Sequence, residues 1–319
     1  MNKASKKNVN PLRKSYIIDK IILLTQNEVK ADPLVVNWIE EILVSKKFKF
    51  LSKLFTDIFD ICAVKEKIFR AFKVLKILLK IDKDDTIENL KELNDFPNRL
   101  ISYIKESEKK DICEDAFYVL YQLIKANAFK DLQYQISVSF IEALFQSIEN
   151  VNDEENFKAL VRIMIEINNI YQDVESNLFL KVYHRSDNSR VFVEVLIRLI
   201  NEEHNKGELE KMFFTFSSIL EKEKSNVLYN SDIDTYIDII LSLLTSFYTQ
   251  EIKTFIIDSF QKFTLYVPYD KNGYKREEIV DLFKDFADND TESEVIRQKS
   301  IEVLKNMNEY EDEDNSLCR

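Results

Sequence analysis

The sequence predicts an all-α, armadillo/HEAT-like right-handed α-solenoid, and three observations carry that expectation. The 319 residues include only two glycines and four prolines. That is too few for most α/β or all-β folds, whose turns and phosphate loops need positive φ or close backbone approach. Apolar residues recur at i, i+4, i+7 and i+11, the period of a helix, where a strand would alternate. From about residue 110 the helical segments form antiparallel pairs at a spacing of roughly 40 residues, the period of armadillo and HEAT units. No repeat consensus is visible in the letters, so the periodicity is one of structure.

In chain order, residues 1–14 read as a basic, flexible tail containing Pro11. A helix is expected over Ser15–Thr25 and another from Asp32 and Pro33, where Asp can cap and Pro suits the first helical position. The second carries Trp38, the single tryptophan, which reads as a core residue. The next pair carries Phe48, Leu51, Phe55 and Phe59, then Ile68, Phe72, Leu75 and Leu79. Opposite the second of these series, Lys73, Lys76 and Lys80 form a basic stripe, which reads either as a solvated face or as a contact for an acidic surface. Helices follow at Thr86–Asn94, Pro97–Ser107, Lys110–Asn127, Gln133–Glu149, Glu154–Tyr171 and Val174–Tyr183, then at Asp187–Asn201, Gly207–Lys222, Ser231–Phe247, Gln250–Tyr266 and Tyr274–Ala287. Ser231 with Asp234, and Thr291 with Glu294 at the start of a last helix, are candidate capping boxes. The whole of 15–308 reads as one helical domain, because a repeat array lengthens its core without thickening it. Residues 309–319 form an acidic tail.

Net charge is −11. Its distribution is uneven, with 17 Lys+Arg against 8 Asp+Glu in the first 80 residues and 28 against 48 in the rest. Overall acidity argues against a nucleic-acid partner. With two glycines there is no phosphate cradle or dinucleotide fingerprint. His184 and His204, the only histidines, are in no metal-ligand or triad spacing, so neither a metal, a cofactor nor a catalytic site is expected. Cys62, Cys113 and Cys318 are far apart and form no CxxC, which fits reduced cysteines of an intracellular protein. No uncharged run approaches the roughly 20 residues that span a bilayer.

Three phrases within 187–288 add a second line of inference: NSRVFVEVLIRLINEE (Asn188 to Glu203), VLYNSDIDTYIDIILSLLTS (Val227 to Ser246) and LYVPYDKNGYKREEIVDLF (Leu265 to Phe283). Taken in this order they resemble the leucine-rich domain of the WISH/DIP family. The matching residues are Glu194 to Asn201, then Tyr229, Asn230, Asp232, Ile233 and Asp238 to Ile240, then Tyr274, Lys275, Arg276, Glu278 and Ile279. The resemblance covers about a hundred residues, and the rest of the chain shares only helical character. Animal members carry an SH3 domain and Pro-rich stretches ahead of this block; the sequence here has neither and resembles the compact fungal form. The resemblance implies a non-enzymatic, cytoplasmic activator of the actin-related protein 2/3 complex that makes linear filaments without a preformed one, seeding branched networks at cortical actin patches during endocytosis. Actin itself would be reached through the nucleated filament. Other activators present an acidic segment with a Trp; the run Glu309 to Asp314 has no Trp and reads as a solubilising tail. The alternative function is a general armadillo/HEAT adaptor in transport or complex assembly, whose groove reads a linear peptide.

Candidate partner contacts follow from residue type. Tyr269, Lys271, Tyr274, Lys275 and Arg276 gather aromatic and basic side chains around a loop with Gly273, and such side chains dominate interface hot spots. A second reading is that the Tyr rings close the last repeat while Arg276 pairs with Glu277, Glu278 or Asp281. Asn188 and Arg190 are further candidates, and Arg198 beside them reads as structural.

Overall fold

A computed structural model describes residues 65–308 apart from 82, 93–95, 107–111, 130–131, 172, 174, 224–227, 247–248, 268 and 270–272. The helices expected over Ser15–Thr25, around Trp38 and over Phe48–Phe59 lie outside the described residues, as do Lys271 and both tails. Described residues contain no strand. The helices are α1 (Lys65–Ile81), α2 (Lys83–Glu92), α3 (Phe96–Glu106), α4 (Asp115–Lys125), α5 (Leu132–Gln135), α6 (Val138–Ser147), α7 (Glu154–Ile170), α8 (Leu178–Tyr183), α9 (Ser189–Glu202), α10 (Lys206–Glu223), α11 (Asn230–Thr245), α12 (Gln250–Tyr266), α13 (Arg276–Asp288) and α14 (Glu294–Asn306).

They divide into two compact units: residues 1–135 with Val151–Ala159, and Ile136–Asn150 with residues 160–319. In the first, α1 packs on α2 and α4, and α3 packs on α2 and α4. Phe72, Leu75 and Leu79 of the expected apolar series are buried. The lysine stripe opposite them is divided, with Lys80 exposed and Lys76 drawn into the protein. Lys76 is only 9% exposed, its ammonium meeting Asp115 at 3.2 Å, Asp153 at 3.1 Å and the Asn156 amide oxygen at 2.7 Å. Lys80 reaches Glu155 at 2.5 Å. Acidic residues from the start of α4 and from the turn into α7 have folded over Lys76.

The second unit is an armadillo-like, all-α solenoid. Its second-of-pair helices α10, α12 and α14 begin at Lys206, Gln250 and Glu294, an even step of about 44 residues. Each packs on the next, while α9 packs on α10 and α11, and α11 on α12. The core is a run of aromatic rings: Phe216 lies 4.5 Å from Tyr236, Tyr236 is 5.1 Å from Phe263, and Phe260 stacks on Phe283 at 5.3 Å. Such pairs add about 0.5–1.5 kcal/mol each beyond area burial. Ile237, Ile239, Ile240, Leu243 and Leu244 are buried along one side of α11, and its other side, with Thr235, Asp238 and Ser242, is exposed, the amphipathic pattern of a helix at a domain's surface.

Several boundaries differ from the expected ones because caps decide them. The single helix expected over Gln133–Glu149 is broken at Ser137, whose hydroxyl accepts from the Phe140 N–H and starts α6. Residues 175 and 176 form a turn, and Asn177 caps α8 by accepting from Phe179 and Leu180. The expected capping pairs are each displaced by two residues. Asp232 accepts from the Tyr229 N–H at 2.9 Å to start α11, and Ser293 accepts from the Ile296 N–H to start α14. Ser293→Ala should therefore cost about 1 kcal/mol. A melting temperature lowered by about 2–4 °C is the expected readout, and an unchanged one would remove Ser293 as the cap.

Candidate protein-binding surface

Tyrosines at the N-terminal ends of the first-of-pair helices stand out of the second unit. Tyr229 precedes α11 and is 50% exposed; Tyr274 precedes α13 and is 41% exposed. Each is held by a cation. The Arg190 guanidinium, in the first turn of α9, lies 4.8 Å from the Tyr229 ring centre and donates to its hydroxyl at 2.5 Å. Lys275 lies 5.5 Å from the Tyr274 ring centre and pairs with Asp238 of α11 at 3.0 Å, while the Tyr274 hydroxyl donates to the same carboxylate at 3.4 Å. The hydrogen bond to Asp238 raises the Lys275 ammonium above its ordinary value. Arg190 thus contacts the residue that precedes α11, and Tyr274 and Lys275 contact Asp238 within it. The left-handed residue of the intervening loop is Lys275, at φ 49°, and not Gly273.

The remaining candidates are placed differently. Arg276 is 6% exposed. Its guanidinium donates to the carbonyls of Tyr269 at 2.9 Å and Met307 at 2.5 Å and lies over the Tyr269 ring. That buries it as a clamp between the loop and the end of α14, so it is no surface contact, and the anchoring partners are backbone carbonyls. Tyr269 is half-buried, its hydroxyl donating to the Tyr274 carbonyl, and burial pushes that hydroxyl up to about 12. The reading in which a ring closes the last repeat holds for this residue. Asn188 donates its amide to the Phe145 carbonyl at 2.9 Å, tying the start of α9 to α6. Arg198, read as structural, is exposed on α9.

A second feature was not anticipated. Across α7, α10, α12 and α14 runs a groove of about 580 Å³. On α10 the residues facing it or flanking it, Glu210, Phe214, Ser217 and Glu221, follow the helical period. Leu209, Met212 and Phe216 are buried behind them, and the buried Phe213 lines the groove beside Phe214. Phe255 of α12 adds a second half-buried ring. Ion pairs join successive second-of-pair helices as rungs: Glu166 with Lys211 at 2.6 Å, Glu221 with Lys262 at 2.8 Å, and Asp258 with Lys299. In the sequence, Phe214 and Phe255 are indistinguishable from core residues.

No protein-family model matches the chain, and no curated protein matches it. Among solved structures it is similar to SYS-1 in a crystal complex of SYS-1/POP-1, with a TM-score of 0.47, 12% identity and coverage of 93% of this chain and 54% of that one. SYS-1 in a second crystal structure gives a TM-score of 0.42 and 12% identity, covering 82% of this chain and 50% of that one. A designed armadillo repeat protein gives a TM-score of 0.37 and 11% identity, covering 81% and 99%. The chain spans about half the length of the SYS-1 chains. Among the described residues no helix is long and apolar enough to cross a membrane.

Proposed function

We propose that this chain is a non-enzymatic scaffold that binds other proteins. The groove along successive second-of-pair helices carries the reading. It combines exposed aromatic area with fixed charges on a stack whose rungs resist bending, which suits recognition of a protein segment. On the opposite helices, Tyr229 and Tyr274 are large side chains held upright by Arg190 and Lys275, so little rotamer entropy remains to be lost on binding.

Within that reading, the actin-related protein 2/3 complex is the partner we favour. Its support is the ordered resemblance of three phrases to the WISH/DIP leucine-rich domain, and the exposed Arg190, Tyr229, Tyr274 and Lys275 all fall within those phrases. A rigid scaffold would activate such a complex by binding one of its conformations better than another, since a ligand shifts an equilibrium only by its differential affinity. Action at cortical actin patches belongs to the same proposal. In a pyrene-actin assay with purified complex and no filament seeds, the full chain should accelerate polymerisation. A pull-down with the same purified complex should show binding. The variant Arg190→Glu/Lys275→Glu should weaken both while the helical circular-dichroism signal and melting temperature hold. Neither acceleration nor binding by the unaltered chain would sink this partner and leave the general adaptor.

A further inference from the structure

Most charged and amide side chains lining the groove have partners within the chain. Lys262 is held by Glu221 and Lys299 by Asp258. Gln261 donates to Glu302, and Asn169 donates to the Lys211 carbonyl and the Thr215 hydroxyl. Glu210, exposed on α10 at the edge of the groove, makes no ion pair among the described residues. One turn further along α10 is Phe214, and Phe255 belongs to the neighbouring α12; both rings are half-buried and border the same space.

We propose that this groove takes a segment of a partner protein in which an apolar side chain is flanked by lysine or arginine. The apolar side chain packs against Phe214 and Phe255, and the cation meets the Glu210 carboxylate. This rests on the scaffold reading and names the chemistry of the partner. An acidic segment would bring its carboxylates to Glu210 and Asp258 and would have to break a rung to reach Lys262 or Lys299. A polar basic segment would leave the two rings uncovered.

Fluorescence anisotropy on the full chain tests this with three labelled peptides: one alternating Leu with Lys, one with Glu in place of Lys, and one with Ser in place of Leu. The Leu/Lys peptide should bind, more weakly as salt is raised, and at least tenfold more tightly than either counterpart. Glu210→Lys, at an exposed position that leaves the fold intact, should weaken it about fivefold, the scale of an exposed pair turned into a repulsion. Phe255→Ala should weaken it roughly tenfold or more, as loss of an aromatic anchor does. Equal binding of the acidic and basic peptides, or an unchanged affinity in Glu210→Lys, overturns the charge assignment while leaving the scaffold reading intact. If none of the three peptides binds, the proposal falls, and the pull-down with purified complex decides the scaffold reading separately.

Discussion

Lys76→Met is expected to destabilise the first unit by about 2–3 kcal/mol. Its ammonium is the common partner of Asp115, Asp153 and Glu155, at 3.1 to 3.2 Å, and of the Asn156 amide oxygen at 2.7 Å. Methionine has nearly the same shape, so the loss is electrostatic: Asp115 and Asp153 lose their cation, Glu155 keeps only Lys80, and one amide oxygen loses its donor. Breaking a fully buried pair costs about 3–5 kcal/mol. The lower figure here reflects side chains of Asp153 and Glu155 that are 50% and 42% exposed. Adding Asp115→Asn to Lys76→Met should recover part of the loss, because it removes the most buried of the three charges. The pH dependence has a definite sign. Burial acts to raise Asp153, but the Asn156 N–H and the Lys76 ammonium outweigh it and hold the carboxyl below the usual range. Its contribution is present above the unfolded carboxylate value and is lost as pH falls through the folded one. Burial acts to lower Lys76, yet Asp115 and Asp153 raise it. That contribution is present below the ordinary lysine value and is lost as pH rises through the folded one. Urea midpoints followed by circular dichroism across pH should fall at both ends for the unaltered chain and more shallowly for Lys76→Met. Equal midpoints for the two proteins at neutral pH would show that the cluster contributes nothing.

The contrast between Lys76 and its neighbours shows which parts of this molecule can be read from sequence. Helices were legible because apolar spacing reports a single variable, the side facing the core. Gln250–Tyr266 and the start of Glu154–Ile170 fall where the period puts them. Boundaries were less legible, since Asn177, Ser137 and Ser293 cap helices through contacts a few residues away that compete with equally plausible caps nearby. Charged residues were the least legible. Lys73, Lys76 and Lys80 share a stripe, yet only the fold brings Asp115 and Asp153 over it. Likewise, nothing in YDKNGYKR distinguishes Lys275, exposed on Asp238, from Arg276, buried one residue later. Helical register separates them: Arg276 opens α13 facing α14, whereas Lys275 lies in the left-handed turn before it.

That separation makes Arg276→Met the other change with a large expected effect, about 3 kcal/mol. The guanidinium bridges two segments, the loop at Tyr269 and the end of α14 at Met307, from an almost fully buried position. Without it both carbonyls lose a charged donor inside the protein, at about 1–3 kcal/mol for each group left unsatisfied, and Tyr269 loses the cation over its ring. Arg276→Lys should restore less than half, because a single ammonium cannot present the planar fork that reaches two carbonyls and stacks on a ring at once. The damage should be local to the end of the stack, since in such an array each repeat contacts only its neighbours. Hydrogen exchange should therefore speed up in α13 and α14 while amides of α9 and α10 keep their protection. Uniform acceleration through the unit would mean that Arg276 does not act as a terminal clamp, and no acceleration would mean that the two carbonyls find other donors. The same reasoning bears on binding: a variant at Arg276 weakens any partner contact by releasing Tyr274 and Lys275 from α11, so only changes at those two residues and at Arg190 report on the surface itself.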